Sequence, residues 1–265
     1  MSDAMDLIHR AIDEDNAHES TQTRRELITK TTALVGGMSL LAVPGIASAQ
    51  RGGSAGNNTP ENILTVAATA EVLATIVNTV GHVRGLGGDR TTRFNIAAAA
   101  RQELIHYNTL TSLGARPLTK KIWVPDAVFA NRTNFLNTLE VGDQIFVNAY
   151  LIGVTAFGQA GDGRLARIAA EFMGVEAVHR AAARQSLGKL GNDRAYMKYN
   201  GRETAPGAPN RGDQGFTDIL RAAALLQAAG FGFGERSSAP GRFYNFDAIK
   251  RRTPNPPGVN TRAPQ

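Results

Sequence analysis

The chain has 265 residues, of which 42% are hydrophobic, and a formal net charge of +6. This length and hydrophobic content suffice for one sizeable core, so we expect one globular domain. The sequence contains no cysteine, which excludes disulfides, iron–sulfur clusters and thiol catalysis. Carboxylates and imidazoles are therefore the side chains available to hold a metal ion.

Residues 1–49 have the features of an export leader. An arginine pair at 24–25 precedes a moderately apolar run at 31–43, and the small residues at 47–49 form a cleavage site. The run is shorter than the about 20 residues of a membrane-spanning helix. The pattern resembles a twin-arginine signal, which implies the twin-arginine export machinery as a partner and a periplasmic or otherwise exported location. A disordered leader with an accidental arginine pair is the alternative.

Removal of this leader leaves 25 basic and 16 acidic residues, a net charge of +9. A basic surface can attract acidic polymers or anionic lipids. Because no nucleic-acid motif accompanies the charge, we expect no nucleic acid partner and interpret the charge mainly as solvated surface.

A helical hairpin is predicted after a flexible lead-in at residues 50–58. Thr59 and Pro60 provide a cap and a first helical position, and the first helix should end near Arg84. Asp89 or Thr91 can cap the second helix, which should end near residue 114.

A second hairpin follows a long crossover at residues 115–125, whose length lets the chain cross to the other side of a bundle. The third helix should cover residues 131–157, and the fourth, capped by Asp162, residues 164–187. Residues 59–189 are thus predicted to form an all-α four-helix bundle with one long crossover. Arg180 and Arg184 are expected to face outward.

The remaining residues, 190–265, form a Gly/Pro-rich C-terminal extension. One further helix is predicted at residues 217–229, with Thr217 as its cap. The aromatic stretches at 230–234 and 243–246 are expected to be irregular chain that docks onto the bundle or onto a partner subunit.

Two copies of one short motif supply candidate metal ligands. They are Glu103-x-x-His106 and Glu176-x-x-His179, and random placement of eleven glutamates and five histidines would yield roughly 0.2 such motifs. Residues three apart lie on one helix face, so each pair can reach one point. These charged residues lie among apolar ones, and buried charge is costly unless it is paired or bound to metal.

In an antiparallel helical hairpin, residues equally far from the turn lie at the same height. This symmetry predicts which carboxylate of the preceding helix faces each motif. In the first hairpin the only nearby carboxylate is Glu71. In the second hairpin the reflected position is Asp143, and Glu140 lies one turn, roughly 5 Å, further along the same face. Asp143 is the first choice and Glu140 remains an alternative. Tyr107 and Tyr150 are near enough in sequence to form a hydrogen bond with a ligand or to act as radical residues, but such a tyrosine is more often a core residue with a satisfied hydroxyl.

A four-helix bundle can hold two metal ions with one carboxylate from each of two helices and a Glu-x-x-His motif from each of the other two. Such ligands suit iron and also accept manganese. The alternative is that the inward Glu and His side chains merely pair with one another or with arginine. The predicted metal ligands are Glu71, Glu103, His106, Asp143, Glu176 and His179, with Glu140 as the alternative to Asp143.

Over about residues 60–190 the sequence resembles the exported branch of the bacterial ferritin-like family. The matching stretches are 63–71, 96–114, 135–150 and 176–183. The resemblance implies a ferritin-like bundle with a metal ligand at Asp143, where the family usually has glutamate. It further implies a di-iron carboxylate protein, with manganese as the alternative, that oxidises ferrous iron or removes peroxide in stress protection. Its partners would be metal ions and dioxygen or peroxide.

A different class of function stays open at this point. The chain can instead be a structural or desiccation-protective exported bundle whose metal site is degraded or purely structural. A homodimer is compatible with either function, and the sequence assigns no catalytic residue.

Overall fold

The computed structural model describes residues 57–198 and 212–264, so the predicted export leader and residues 50–56 of the lead-in lie outside the described residues. Four long helices dominate the described part of the chain. They are α1 (Pro60–Val83), α2 (Arg90–Ser112), α3 (Arg132–Gln159) and α4 (Gly163–Ser186). Their boundaries fall within two residues of the predicted ones, and the helical bundle is confirmed.

Each long helix begins where the sequence supplies a capping side chain. Thr59, Asp89, Asn131 and Asp162 each accept a hydrogen bond from the backbone N–H three residues further on. This bond satisfies one of the amides that the first turn of a helix leaves unpaired. Local sequence therefore determines where the helices begin.

The helices form two hairpins that pack against each other. α1 lies along α2 and α3 along α4, while α1 also contacts α3 and α2 contacts α4. Gly81, near the end of α1, approaches Phe135 near the start of α3, and Ile63, near the start of α1, approaches Gly153. α1 and α3 are therefore antiparallel. Because α2 ends near the start of α1 and α3 begins near its end, the connection between α2 and α3 must run the length of the bundle.

Contacts of this connection follow that route. The Leu118 N–H donates to Thr69 Oγ1 in the first half of α1 at 2.9 Å. Further along, the Phe129 ring lies 4.7 Å from the guanidinium carbon of Arg84, just after the end of α1. The crossover thus passes along α1 from one end of the bundle to the other.

A small β-sheet, which the sequence analysis did not predict, covers the bundle. The crossover contains its central strand, β1 (Lys121–Pro125). The short strands β2 (Met197–Lys198) and β3 (Asp213–Gln214) form a separate parallel pair. Strands β4 (Gly232–Phe233) and β5 (Gly241–Asn245) pair antiparallel with β1, in the order β4-β1-β5.

The expectation of an all-α fold with an irregular C-terminal extension is therefore wrong in part. Residues 232–233 and 243–245 of the two aromatic stretches lie in strands that pair with a segment more than 100 residues earlier. Strands of two to five residues that contain glycine or proline carry little periodicity, so only the distant pairing partner defines them.

The C-terminal part also contains α5 (Ile219–Ala228) and α6 (Phe246–Ile249). α5 is capped by Asp218, not by Thr217 as predicted. Asn57 donates to the Asp218 carboxylate at 2.7 Å, so the last residues of the predicted flexible lead-in are held against α5. In α6, the buried Phe246 ring packs 4.4 Å from the Tyr107 ring of α2, so this segment does dock an aromatic side chain onto the bundle.

α1 is the central helix of the structure, since it contacts α2, α3, α5 and α6. By length and composition it could cross a membrane, but 83% of its apolar window is buried inside the protein. The apolar character of α1 is therefore accounted for by the core.

We expect Gly81→Ala to destabilise the protein by about 1–3 kcal/mol, because overpacking a core costs this much. A Cβ at this position would lie 2.1 Å from Phe135 Cζ, which forces α1 and α3 apart. Gly174→Ala is the matched control, since a Cβ there meets nothing within 4 Å and alanine favours a helix by about 0.5–1 kcal/mol. Urea unfolding measures the free energy of unfolding of both variants. If Gly81→Ala were as stable as the wild type, the close packing of α1 on α3 would be contradicted.

Candidate metal centre

The structure brings all six predicted first-choice ligands together inside the bundle. They form two groups, and within each group one potential ligand atom per residue lies within 4.8 Å of the others. One group contains Glu71, Glu103, His106 and Glu176, and the other contains Glu103, Asp143, Glu176 and His179. The buried Glu and His residues can therefore hold metal ions, and Glu103 and Glu176 belong to both groups.

Every long helix contributes to this cluster. The two Glu-x-x-His motifs project from one face of α2 and one face of α4, and α1 and α3 contribute Glu71 and Asp143. The hairpins set the two carboxylates level with the motifs, because residues equally far from a tight turn face each other. The packing of α1 on α3 and α2 on α4 then joins the two halves.

Glu140, the alternative to Asp143, lies outside both groups. Its carboxylate forms ion pairs with Arg184 of α4 and with Lys189. Arg180 and Arg184 do not face outward as expected, since their exposed fractions are only 6% and 7%. Arg180 pairs with Asp213, so these arginines tie α4 to neighbouring segments of the chain.

The two shared glutamates each face both imidazoles. His106 Nδ1 lies 3.4 Å from Glu103 Oε2 and 3.1 Å from Glu176 Oε1. His179 Nδ1 lies 3.1 Å from Glu103 Oε1 and 3.4 Å from Glu176 Oε2. Each glutamate thus turns one oxygen to each histidine, an arrangement suited to a carboxylate that bridges two ions.

The cluster leaves buried polar atoms without hydrogen-bond partners. The side chains of Glu71, Glu103 and Glu176 are fully buried. The atoms without a partner include Glu71 Oε2, both Glu103 oxygens, Glu176 Oε1 and His106 Nδ1. An unpaired buried polar atom costs about 1–3 kcal/mol, and more if it is charged. Metal ions would satisfy these atoms, and four carboxylates balance the charge of two divalent cations when both imidazoles are neutral.

No family model, curated protein or solved structure matches this chain.

Burial and the neighbouring charges shift the pKa values of five of these six groups. Burial raises the pKa of Glu71 and of Asp143. Burial alone would lower the pKa of His106 and His179, but the charges and hydrogen bonds of the surrounding glutamates, led by Glu71 for His106 and by Glu103 for His179, together outweigh it and raise both values. Burial likewise acts to raise the pKa of Glu103, yet the nearby His179 and His106 hold it well below its ordinary value. Bound metal must therefore replace protons.

Three further side chains orient the cluster. The Tyr150 hydroxyl donates to Glu71 Oε1, whereas Tyr107, the other tyrosine considered, packs against Phe246. Gln102 Oε1 lies 2.8 Å from His179 Nε2, where it can accept that N–H and leave Nδ1 free to bind a metal. The Phe172 ring covers His106, with 4.0 Å between ring centroids.

Sequence reasoning missed Gln102 and Phe172. Gln102 is next to Glu103 in the chain, but adjacent residues of a helix do not share a face. Its contact with His179 is made across the bundle, from α2 to α4, and only the packing of those helices reveals it.

We expect metal binding to release protons and to strengthen as the pH rises. Because the pKa values of both histidines are raised, both imidazoles are protonated near neutral pH and each must lose a proton to bind. Calorimetric titration with Mn²⁺ in buffers of different ionisation enthalpy should show roughly two to four protons released per pair of ions. Heats that do not depend on the buffer would contradict this pattern of protonation.

Proposed function

We propose that this protein is an exported ferritin-like di-metal carboxylate protein that holds two iron ions, with manganese as the alternative metal. The observation that carries the proposal is the sharing of Glu103 and Glu176 between His106 and His179. A single-ion site or a simple ion pair has no need of two equivalent halves with two shared carboxylates. Two ions in a four-helix bundle do need them.

The residues divide into two half-sites. Glu71 and His106 would hold one ion, Asp143 and His179 would hold the other, and Glu103 and Glu176 would bridge both. Bound iron would supply one-electron redox chemistry toward dioxygen or peroxide. The chain supplies burial of the ligands and a hydroxyl proton from Tyr150 at Glu71 Oε1.

This donor set supports ferrous iron oxidation or peroxide removal as the activity, in the service of stress protection. Four carboxylates and two imidazoles suit iron, and they also accept manganese, so a manganese-catalase-like activity is a close variant. The exported location is part of the proposal and rests on the arginine pair and cleavage site within residues 1–49.

One observation favours a second candidate, a structural or desiccation-protective bundle with no working metal site. Each imidazole lies 3.1–3.4 Å from carboxylate oxygens, so protonated histidines can neutralise the cluster without metal. Buried ion pairs of this kind are found in cores that bind nothing. Metal analysis separates the two candidates.

We expect protein purified from the exported fraction to contain about two ions per chain by elemental analysis, as the two half-sites require. Glu103→Gln keeps the shape of the side chain but removes a bridging charge, so most of the metal should be lost. Glu171→Gln is the matched control, because Glu171 is an exposed glutamate of α4 that pairs with Arg167. Wild-type protein that stays ion-free when iron and manganese are supplied would overturn the proposal.

A second pair of variants tests the choice of Asp143 over Glu140. We expect Asp143→Asn to lower the metal content to about one ion per chain, because it removes the terminal carboxylate of one half-site. Glu140→Gln should keep the wild-type metal content but lower the melting temperature, because it breaks the partly buried pair with Arg184. Elemental analysis and thermal unfolding of both variants provide the comparison. The reverse pattern would make Glu140 the ligand.

A further inference from the structure

The tip of the α1–α2 hairpin, residues 83–94, exposes two large apolar side chains. Val83 is the last residue of α1 and is 47% exposed. Phe94 lies in the second turn of α2 and is 48% exposed. Single exposed apolar residues are ordinary on a soluble protein. Apolar residues that are grouped and surrounded by polar ones are instead typical of a surface that binds a partner or a membrane.

The hairpin tip also carries an excess of positive charge. Arg84, Arg90 and Arg93 are exposed, and none of them pairs with a carboxylate of the described chain. The single acidic residue of the tip is Asp89, whose side chain caps α2 and pairs with Arg132 at 3.4 Å. The tip therefore presents three arginine charges that no described acid offsets.

The turn that joins the two helices holds these side chains in place. The Gly87 carbonyl accepts a hydrogen bond from Arg132 Nε of α3 at 2.9 Å. A Cβ on Gly87 would lie 2.8 Å from Arg93 Cα, so the turn packs directly against the first turn of α2. Gly85 and Gly88 have φ values of 70° and 78° less one degree respectively, in the left-handed region. Because the tip is fixed before it meets a partner, docking would cost little conformational entropy.

We propose that the hairpin tip docks this protein onto the surface of an anionic lipid bilayer. The guanidinium groups of Arg90 and Arg93 bind headgroup phosphates, and Val83 and Phe94 enter the boundary between headgroups and acyl chains. A bilayer offers both negative charge and an apolar phase. A nucleic acid offers the charge but no apolar phase for Val83, and a second copy of the tip would bring like charges together.

This surface is separate from the metal centre. Glu103 lies nine residues further along α2 than Phe94, which is about 14 Å along the helix axis. Docking and metal binding are therefore distinct properties that different variants can remove one at a time.

The opposite end of the bundle lacks the combination and provides matched controls. Arg116 and Arg164 are exposed there. The segments that meet at that end, residues 57–64, 108–118 and 155–168, contain no exposed large hydrophobic residue. Charge changes at this end alter the net charge of the protein without touching the hairpin tip.

Co-sedimentation of the full chain with lipid vesicles tests the proposal. Vesicles of phosphatidylglycerol and phosphatidylcholine in equal parts are compared with vesicles of phosphatidylcholine alone. We expect the wild type to bind the anionic vesicles at least about tenfold more strongly, because each arginine near an anionic surface contributes about fivefold to the binding constant. The preference should largely disappear in about 0.5 M NaCl, which screens the charges.

Two charge-reversed variants locate the binding surface. Arg90→Glu combined with Arg93→Glu should weaken binding to the anionic vesicles at least about tenfold. Glutamate is favourable in the first turn of a helix, so this variant is expected to fold. Arg116→Glu combined with Arg164→Glu changes the net charge equally and should stay within about twofold of wild type, because the far end of the bundle lies beyond the screening length.

A second pair of variants tests the apolar contact at unchanged charge. Phe94→Gln should weaken vesicle binding about fivefold, because the ring no longer enters the bilayer boundary. Val178→Gln is the matched control, since Val178 is an exposed apolar residue of α4 outside the tip and its loss should leave binding unchanged. Circular dichroism and metal content confirm that each variant is folded. If the arginine variant does not fold, Arg90→Gln combined with Arg93→Gln replaces it.

Equal loss of binding from the two ends of the bundle would overturn the proposal, because the attraction would then follow net charge alone. Wild-type binding of Phe94→Gln, together with tighter binding of the protein to double-stranded DNA than to vesicles, would make the tip a nucleic-acid surface and would also overturn it. A wild type that binds two ions but no anionic vesicles would remove the docking surface and leave the proposed function standing.

Discussion

The structure depends on the burial of four carboxylates and two imidazoles in the middle of a helical bundle. Such groups are costly to remove from water unless their charges are balanced and their polar atoms are paired. In this protein the balance is possible in two ways, through protons on the histidines and on Glu71 and Asp143, or through two divalent cations. Both Glu103 oxygens and Glu176 Oε1 have ion-pair contacts with the imidazoles but no hydrogen-bond partner, and bound metal would use this capacity.

The two halves of the cluster share one plan but differ in their surroundings. Glu71 and His106 are enclosed by Tyr150 and Phe172. On the other side, His179 is 9% exposed and contacts Gln102, while the buried Arg180 lies near enough to Asp143 to lower its pKa against the larger effect of burial. Asp143 and His179 thus lie beside the buried Arg180, whereas Glu71 and His106 lie against aromatic side chains.

The segments packed against the outer side of α1 keep the cluster buried. α1 carries Glu71 and would be exposed on one side if the bundle stood alone. The crossover and the helices α5 and α6 contact it on that side instead. Phe246 and Leu225 are almost completely buried there. The C-terminal residues are therefore part of the core that surrounds the site.

The sequence by itself determined the four long helices and the six side chains that converge in the bundle, because each depends on contacts within one helix or across one tight turn. Glu-x-x-His places two ligands on one face, and a short hairpin sets the level of Glu71 and Asp143. Only the tertiary structure placed Asp143 and not Glu140 in the cluster, because the Glu140 carboxylate pairs with Arg184 and Lys189. It alone also revealed the sheet and the contact of Gln102, because each depends on segments that are distant in the chain and meet only when the bundle is packed.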